Sequence, residues 1–513
     1  MDGKARRGIV VAAVMTLVGA QPVRAEWLEA TSKHFVVYAN ASPAELQRRT
    51  EQLEMFDSVF RYFKSLPERA EDGSNKLTVY VVADDAAVGR LFGKGGDHIA
   101  GFYQGRASGS VAFTPGRGPG DGDVNALQPQ IVLLHEYAHH LMLGNFASAY
   151  PAWFAEGYAE FLSTARFDKD AVWIGGAAQH RAYDLLTGGG LSAEQLLTMD
   201  RAKMKEDQVA SLYARGWLLT HYLMMNDARR GQLTTYLAGY NEGRTGVDAA
   251  RKAFGDLGTL NKQLNTYLGQ RLLAYKIPLS RLSPPPVTLR PLRAGEKAMI
   301  ALRMRSDRGV DGTTAQPILA QALPIGERYP DDPVVQGWLA EMALDAGRND
   351  LAEAAADKAL ALDPTSSQAL VYKAQVHLRR AVATKATDPA VWKEARSWLL
   401  KANKLDSNDA YALSLYYSSF GMAQVQPTAN AKAALERAHD LVPQDEGLGF
   451  AYAMQSVIDG KTDDARGALR PLAYSAHSGA DNPAAQLLAR LDAGKTGPAA
   501  LGAAAQDPAG VRP

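Results

Sequence analysis

The spacing of apolar residues changes several times along the chain, and each change marks an element. Residues 34–38, His-Phe-Val-Val-Tyr, read as a short strand. In 43–64 the positions Leu46, Leu53, Phe56, Val59, Phe60 and Phe63 recur at helical spacing. A second strand is expected at 76–82, Lys-Leu-Thr-Val-Tyr-Val-Val, rich in β-branched side chains and ended by Asp84 and Asp85. Two more are expected at 101–103 and 109–114, before a Gly/Pro-rich loop over 115–123. From 124 to about 275 the pattern is mostly helical. Residues 279–292 then carry Pro284, Pro285, Pro286 and Pro291, which cannot continue a helix, so an extended, stiff segment and the main domain boundary are expected there.

Beyond that boundary the pattern repeats. Placing Tyr329-Pro330 over Asp363-Pro364, 34 residues on, also superposes Trp338 on Tyr372, Ala340 on Ala374 and Leu344 on Leu378. The series continues at Leu405-Asp406-Ser407 and Val442-Pro443, with an insertion around 384–389. The period resembles that of tetratricopeptide repeats, whose antiparallel helix pairs stack into a solenoid. Alanines at 355, 359, 395, 402, 434 and 438 suit such close packing, while a generic helical bundle is the plainer alternative. From Gly494 the Ala/Gly/Pro-rich tail, 494–513, has too little apolar surface to fold. The expected organisation is multidomain: an α/β part at 26–123, a helical part at 124–275, a proline-rich linker at 276–294 and an all-α repeat array at 295–493.

Composition narrows the chemistry. Of 513 residues 46% are hydrophobic and 22% charged, as in soluble globular proteins. Lys and Arg number 56 against 55 Asp and Glu, which leaves no basic excess to hold nucleic acid. Cysteine is absent, which removes thiol catalysis, disulfides and cysteine-ligated metals, so a transition-metal site must use His, Asp and Glu. At the N-terminus Lys4, Arg6 and Arg7 precede an apolar run over 9–20, and Val23-Arg24-Ala25 offers small residues at the positions a signal peptidase reads. A cleavable signal peptide at 1–25 is expected, and with it a periplasmic or secreted protein with no stable membrane insertion after cleavage. A retained anchor is the other reading, though about twelve residues fall short of the roughly twenty that span a bilayer. Cleavage would leave 52 basic against 54 acidic residues.

The chemistry concentrates in Ile131-Val-Leu-Leu-His-Glu-Tyr-Ala-His-His140. On a helix His135 and His139 leave the same face, about 6 Å apart, so two imidazoles can meet one zinc ion. Glu136, rotated by about 100°, can reach an attacking water without ligating, as a general base must. His140 points elsewhere and is expected to be packed. A second helix, Pro151-Ala-Trp-Phe-Ala-Glu-Gly-Tyr-Ala-Glu-Phe161, places Glu156 and Glu160 on one face. Glu156 can complete a His-His-Glu ligand set while Glu160 accepts the spare N–H of a ligating histidine; the reverse assignment, with Glu160 as ligand, stays open. A solvated face is the plainer reading of two such glutamates, and the neighbouring Phe154, Tyr158 and Phe161 argue for packing instead. The remaining histidines, His34, His98, His180, His221, His377, His439 and His477, lack ligand spacing.

With HEYAHH, WFAEGYAEF and Tyr213-Ala-Arg-Gly216, residues 26–275 resemble the gluzincin metallopeptidases, the superfamily of thermolysin-like and zinc aminopeptidase domains. More narrowly, they resemble peptidase-MA-like secreted proteins with appended helical repeats. The resemblance implies an α+β zincin-like domain, a Zn2+ cofactor held by His135, His139 and Glu156, Glu136 as catalytic base and Tyr213 as the group supporting the oxyanion. Sixteen residues separate His139 from Glu156, fewer than is usual in the aminopeptidases, and the element that holds a substrate's free amino terminus there has no counterpart with an acid. A strand at 109–114 is expected to pair with an extended peptide.

The expected function is hydrolysis of peptide bonds in a peptide or protein substrate, through a zinc-bound water activated by Glu136. The alternative from another class is a non-catalytic, peptidase-like protein-binding module, in which the repeats grip a protein partner. A metal-dependent hydrolase of non-peptide substrates is a third reading.

Overall fold

The computed structural model describes residues 26–67, 73–96, 99–118, 126–146, 148–187, 190–199, 204–474 and 482–502. The expected signal segment and His98 and His477 lie outside them. In chain order the elements are β1 (Glu26–Thr31), β2 (Phe35–Ala41), α1 (Pro43–Lys64), β3 (Leu77–Val82), α2 (Asp85–Phe92), β4 (Phe102–Gln104), β5 (Val111–Pro115), α3 (Pro129–Asn145) and α4 (Ala152–Ser163). Next come β6 (Arg166–Phe167), β7 (Ala171–Ile174), α5 (Ala182–Leu186), α6 (Ala193–Thr198), α7 (Glu206–Met225), α8 (Gln232–Asn241), α9 (Gly246–Phe254), α10 (Leu257–Leu268), β8 (Tyr275–Pro278) and β9 (Thr288–Pro291). The array consists of α11 (Ala294–Asp307), α12 (Gly312–Arg328), α13 (Pro333–Asp345), α14 (Asn349–Leu362), α15 (Ser367–Ala383), α16 (Pro389–Leu405), α17 (Ala410–Met422) and α18 (Ala429–Leu441). It ends with α19 (Glu446–Ile458), α20 (Thr462–Ala473), α21 (Pro483–Asp492) and α22 (Gly497–Leu501).

The strands form a six-stranded sheet of order β4-β5-β3-β2-β1-β9, in which β2, β3 and β5 run parallel and β4, β1 and β9 pair antiparallel with their neighbours. Strand alternation divides the side chains between two cores. Phe35, Val37, Val79 and Ala112 pack beneath α1 and α3, in the core that also contains the metal-motif helix. On the opposite face the register aligns Tyr38, Tyr80, Phe113 and Phe102 across four adjacent strands, with successive ring centroids 5.4, 5.2 and 4.6 Å apart. Each such pair contributes about 0.5–1.5 kcal/mol beyond its buried area. That aromatic row needs a cover, and α11 to α13 supply it through Met299, Leu302 and Trp338.

The array and the sheet therefore share a core. The expected linker is extended, as its prolines require, yet both of its strands are paired. β9 completes the large sheet against β1, and β8 joins β6 and β7 in a second, three-stranded sheet that the apolar spacing did not predict. In the array, α13 and α15 begin 34 residues apart, α15 and α17 differ by 43, and α17 and α19 by 36, in the sequence offsets. All six alanines expected at helix contacts are buried. The tail also departs from expectation over its first residues. Ala500 and Leu501 of α22 pack on α19 and α21, so residues 497–501 fold, and 503–513 lie outside the described residues. Among the described residues no helix is long and apolar enough to cross a membrane.

Candidate metal centre

Helix α3 starts on Pro129, whose fixed φ suits the first turn, and is almost wholly apolar until His135. It is buried between the sheet and α4, and Tyr137 fastens it by donating to Asp57 Oδ1 on α1 at 2.7 Å. Helix α7 crosses α4 at very close range because both helices carry glycine at the crossing. A Cβ on Gly157 would lie 2.3 Å from the Gly216 carbonyl, and one on Gly216 would lie 2.6 Å from the Trp153 oxygen. That crossing brings Tyr213, one turn before Gly216, onto His135, with ring centroids 5.7 Å apart and planes at 29°.

The three expected ligands converge. His135 Nε2 and His139 Nε2 are 3.1 Å apart, and Glu156 Oε2 lies 3.2 Å from the first and 3.5 Å from the second. Tetrahedral zinc with ligand bonds of about 2.0–2.1 Å requires ligand atoms about 3.3–3.4 Å from one another. The sides of the triangle, 3.1 to 3.5 Å, bracket that size, and it is the His/Asp/Glu group of metal-holding geometry found among the described residues. Protons alone satisfy it poorly. Protonating both imidazoles on the converging nitrogens sets two N–H groups against each other, whereas one cation at the centre satisfies all three atoms.

The surroundings favour positive charge. Burial lowers the affinity of His135 for a proton, but its hydrogen bond to Glu156 and the charges of Glu160, Glu156 and Glu136 outweigh this and raise its pKa above the ordinary value. Glu160, 1% exposed, accepts from His180 Nε2 at 2.7 Å and from both Nε and a terminal nitrogen of Arg181, at 3.2 and 2.6 Å. Burial pushes its pKa up, yet Arg181 and His180 together hold the carboxyl well below the usual range. His135 Nδ1 is 3.5 Å from Glu160 Oε1, so the carboxylate lies behind the imidazole, while its strongest partners are elsewhere. Arg181 also places its guanidinium 4.9 Å above the Tyr213 ring.

Glu136 is half-buried beside β4. A Cβ at Gly101 would lie 3.5 Å from Glu136 Cγ and 2.4 Å from Val132 Cγ1, so glycine lets the edge strand pass directly over this turn of α3. His140 points away from the triangle, stacks on Tyr137 at 5.6 Å and hydrogen-bonds Tyr103 at 2.9 Å. Burial, with the charges of His34 and Arg61, brings its pKa down to about 4, so it is a neutral packed histidine. The strand expected to receive a peptide is not the one available. β5 is paired on both sides, by β3 and β4, and the edge belongs to β4.

Sequence spacing missed His180 and Arg181. They sit in a 3-10 turn, Gln179–Arg181, some twenty residues from Glu160, where no periodicity links them to it. His34 likewise has partners that its spacing concealed, Glu54 at 2.7 Å and Asp57 at 3.7 Å, on the far side of α3 from the triangle.

No family model matches the chain, and no curated protein matches it. Solved structures that resemble it include the crystal structure of a thermophilic TPR protein of Thermus thermophilus, 17% identical, covering 36% of this chain and 93% of that one with a TM-score of 0.31. The MamA RS-1 ArsTM double mutant is 18% identical over the same shares, with a TM-score of 0.26. The likeness is thus to about a third of the chain.

Proposed function

We propose that the chain is a zinc-dependent peptidase of gluzincin type, acting outside the cytoplasm, with residues 26–275 as its catalytic domain. The observation that carries this reading is the 3.1–3.5 Å triangle of His135, His139 and Glu156 with Glu136 on the same helix. Zinc, when bound, acidifies a water and polarises the carbonyl to be attacked. Glu136 accepts a proton from the attacking water as the new C–O bond forms. It returns that proton to the leaving nitrogen as the C–N bond breaks, so one water is consumed and an acid and an amine are released. Tyr213, fixed between His135 and Arg181, supports the negative charge that develops on the carbonyl oxygen, and the Arg181 cation over its ring favours that charge. The peptide lies along β4, whose outer edge is unpaired among the described residues, directly above Glu136.

The array adds a surface for a protein partner. Val382 and Val425 are about half exposed at the rim of a cavity of about 790 Å³ that Trp392 and Arg396 also line. The catalytic reading is tested by elemental analysis and peptide hydrolysis together. One zinc per chain is expected, retained in Glu136→Gln while hydrolysis falls by about 10²–10⁴-fold. Protein without stoichiometric zinc, or undiminished hydrolysis by Glu136→Gln, overturns it.

A further inference from the structure

β4 and α3 run side by side in three rungs. Gly101 lies over Glu136, Tyr103 bonds His140, and Gly105 and Gly144 both face Gln444, with a Cβ at Gly105 2.8 Å from its Cγ and one at Gly144 3.6 Å from its Oε1. Two strand residues, about 6.6 Å, match four helical residues, about 6 Å, at every rung. Gln444 belongs to the turn between α18 and α19 of the array, so the array stands where strand and helix end together.

At that end the array contacts both the sheet side and the helical side of the domain. On the sheet side, Asp445 Oδ2 accepts from the Ala107 amide at 2.7 Å, in the turn that follows β4, while Arg106 of that turn donates to the Asp307 carbonyl on α11. On the helical side, Tyr240 of α8 donates to the Tyr474 carbonyl at 3.2 Å, just past α20, and the two rings pack at 6.2 Å. Helix α8 is held at the same end of α3, where Asn241 exchanges two hydrogen bonds with Ala149, of 2.7 and 3.0 Å. The α19–α20 pair is therefore tied at its start to the turn after β4 and at its end to α8.

We propose that the repeat array blocks the peptide's path along β4 at the C-terminal end of α3, so that cleavage is confined to within about four residues of the substrate's amino terminus. The inference rests on the peptidase reading above. From Glu136 to Gly144 the helix advances about 12 Å, room for roughly four extended residues. The terminus follows from strand polarity. Antiparallel pairing is the more stable arrangement and directs the peptide's amino end along β4 toward Gly105 and the closed end. The carboxyl side runs out past Gly101, away from the array.

The test uses the full zinc-loaded chain with a pool of linear dodecapeptides and head-to-tail cyclic peptides of the same composition, with products read by mass spectrometry. Linear peptides should release amino-terminal fragments of one to four residues, and the cyclic peptides should resist. Loosening the bridge with Asp445→Ala and Tyr240→Ala should lengthen the fragments; if that variant fails to fold, the wild-type fragment lengths still decide. A binding measurement stands apart from turnover. A labelled dodecapeptide should bind Glu136→Gln at least about tenfold more weakly once a small folded domain is fused to its amino terminus. Internal cuts abolished by Glu136→Gln, carboxy-terminal trimming, or efficient cleavage of the cyclic peptides overturn the closure and leave the peptidase reading intact. Absence of any Glu136-dependent cleavage overturns both.

Discussion

At the junction of sheet and array, each buried carboxylate is met by donors. Asp307 accepts from Tyr80 and pairs with Arg303 at 2.9 Å, and Glu341 accepts from Tyr372 and Arg303. At the candidate metal centre a buried carboxylate, Glu156, turns an oxygen toward two imidazole nitrogens that themselves face each other. The carboxylates of the first cluster are engaged by donors within the network itself. The second converges on one point, a geometry that a cation would fit. Glu160 shows the two patterns meeting. Though it lies one helical turn from Glu156, it is fully engaged by His180 and Arg181, which makes it a fixed negative charge behind His135 and an unsuitable ligand.

The contrast can be broken at either cluster. Arg303→Met removes one cation from between two carboxylates and should cost about 3–5 kcal/mol of stability in denaturant titration, with zinc stoichiometry unchanged. Glu160→Gln should weaken zinc affinity about 10–100-fold in competition with a chelator, because the charge behind His135 is lost, and should also lower stability by leaving Arg181 without its carboxylate partner. Gly216→Ala drives a Cβ into the Trp153 carbonyl; about 1–3 kcal/mol of stability should be lost, with turnover falling as Tyr213 is carried off His135.

The smallest effect is a pH dependence at the junction. Burial and the neighbouring Glu341 raise the Asp345 carboxyl to about 6 from its ordinary 3.8. The folded state thus holds a proton that the unfolded chain has released, so the stability this lends is complete below the unfolded value and is lost as pH rises through about 6. Asp345→Asn should flatten that decline between about pH 4 and 6 in thermal unfolding. An unchanged slope would place the titration elsewhere in the cluster.

Much of this was legible in the sequence because it depends on local spacing. Helical period alone sets His135 and His139 on one face and puts Glu136 beside them, and Glu156 follows from a second helix whose aromatic neighbours demand burial. The 34-residue step of the array is local in the same sense, since each helix pair buries its alanines against the next. The proline segment is extended as read, but its pairing was not legible, because extended backbone reads the same whether it spans solvent or pairs in a sheet, and only partners distant in sequence distinguish the two.

The sequence by itself determined the chemistry available: without cysteine, and with HEYAHH ahead of WFAEGYAEF, a metal here has imidazole and carboxylate ligands. The tertiary structure decided how that chemistry is presented. It set Arg181 and His180 on Glu160, exposed the edge of β4 in place of β5, and laid the array over the sheet and against the turn that follows β4. Those outcomes join residues tens to hundreds of positions apart, and the aromatic row on the sheet becomes a docking face only once four strands are in register.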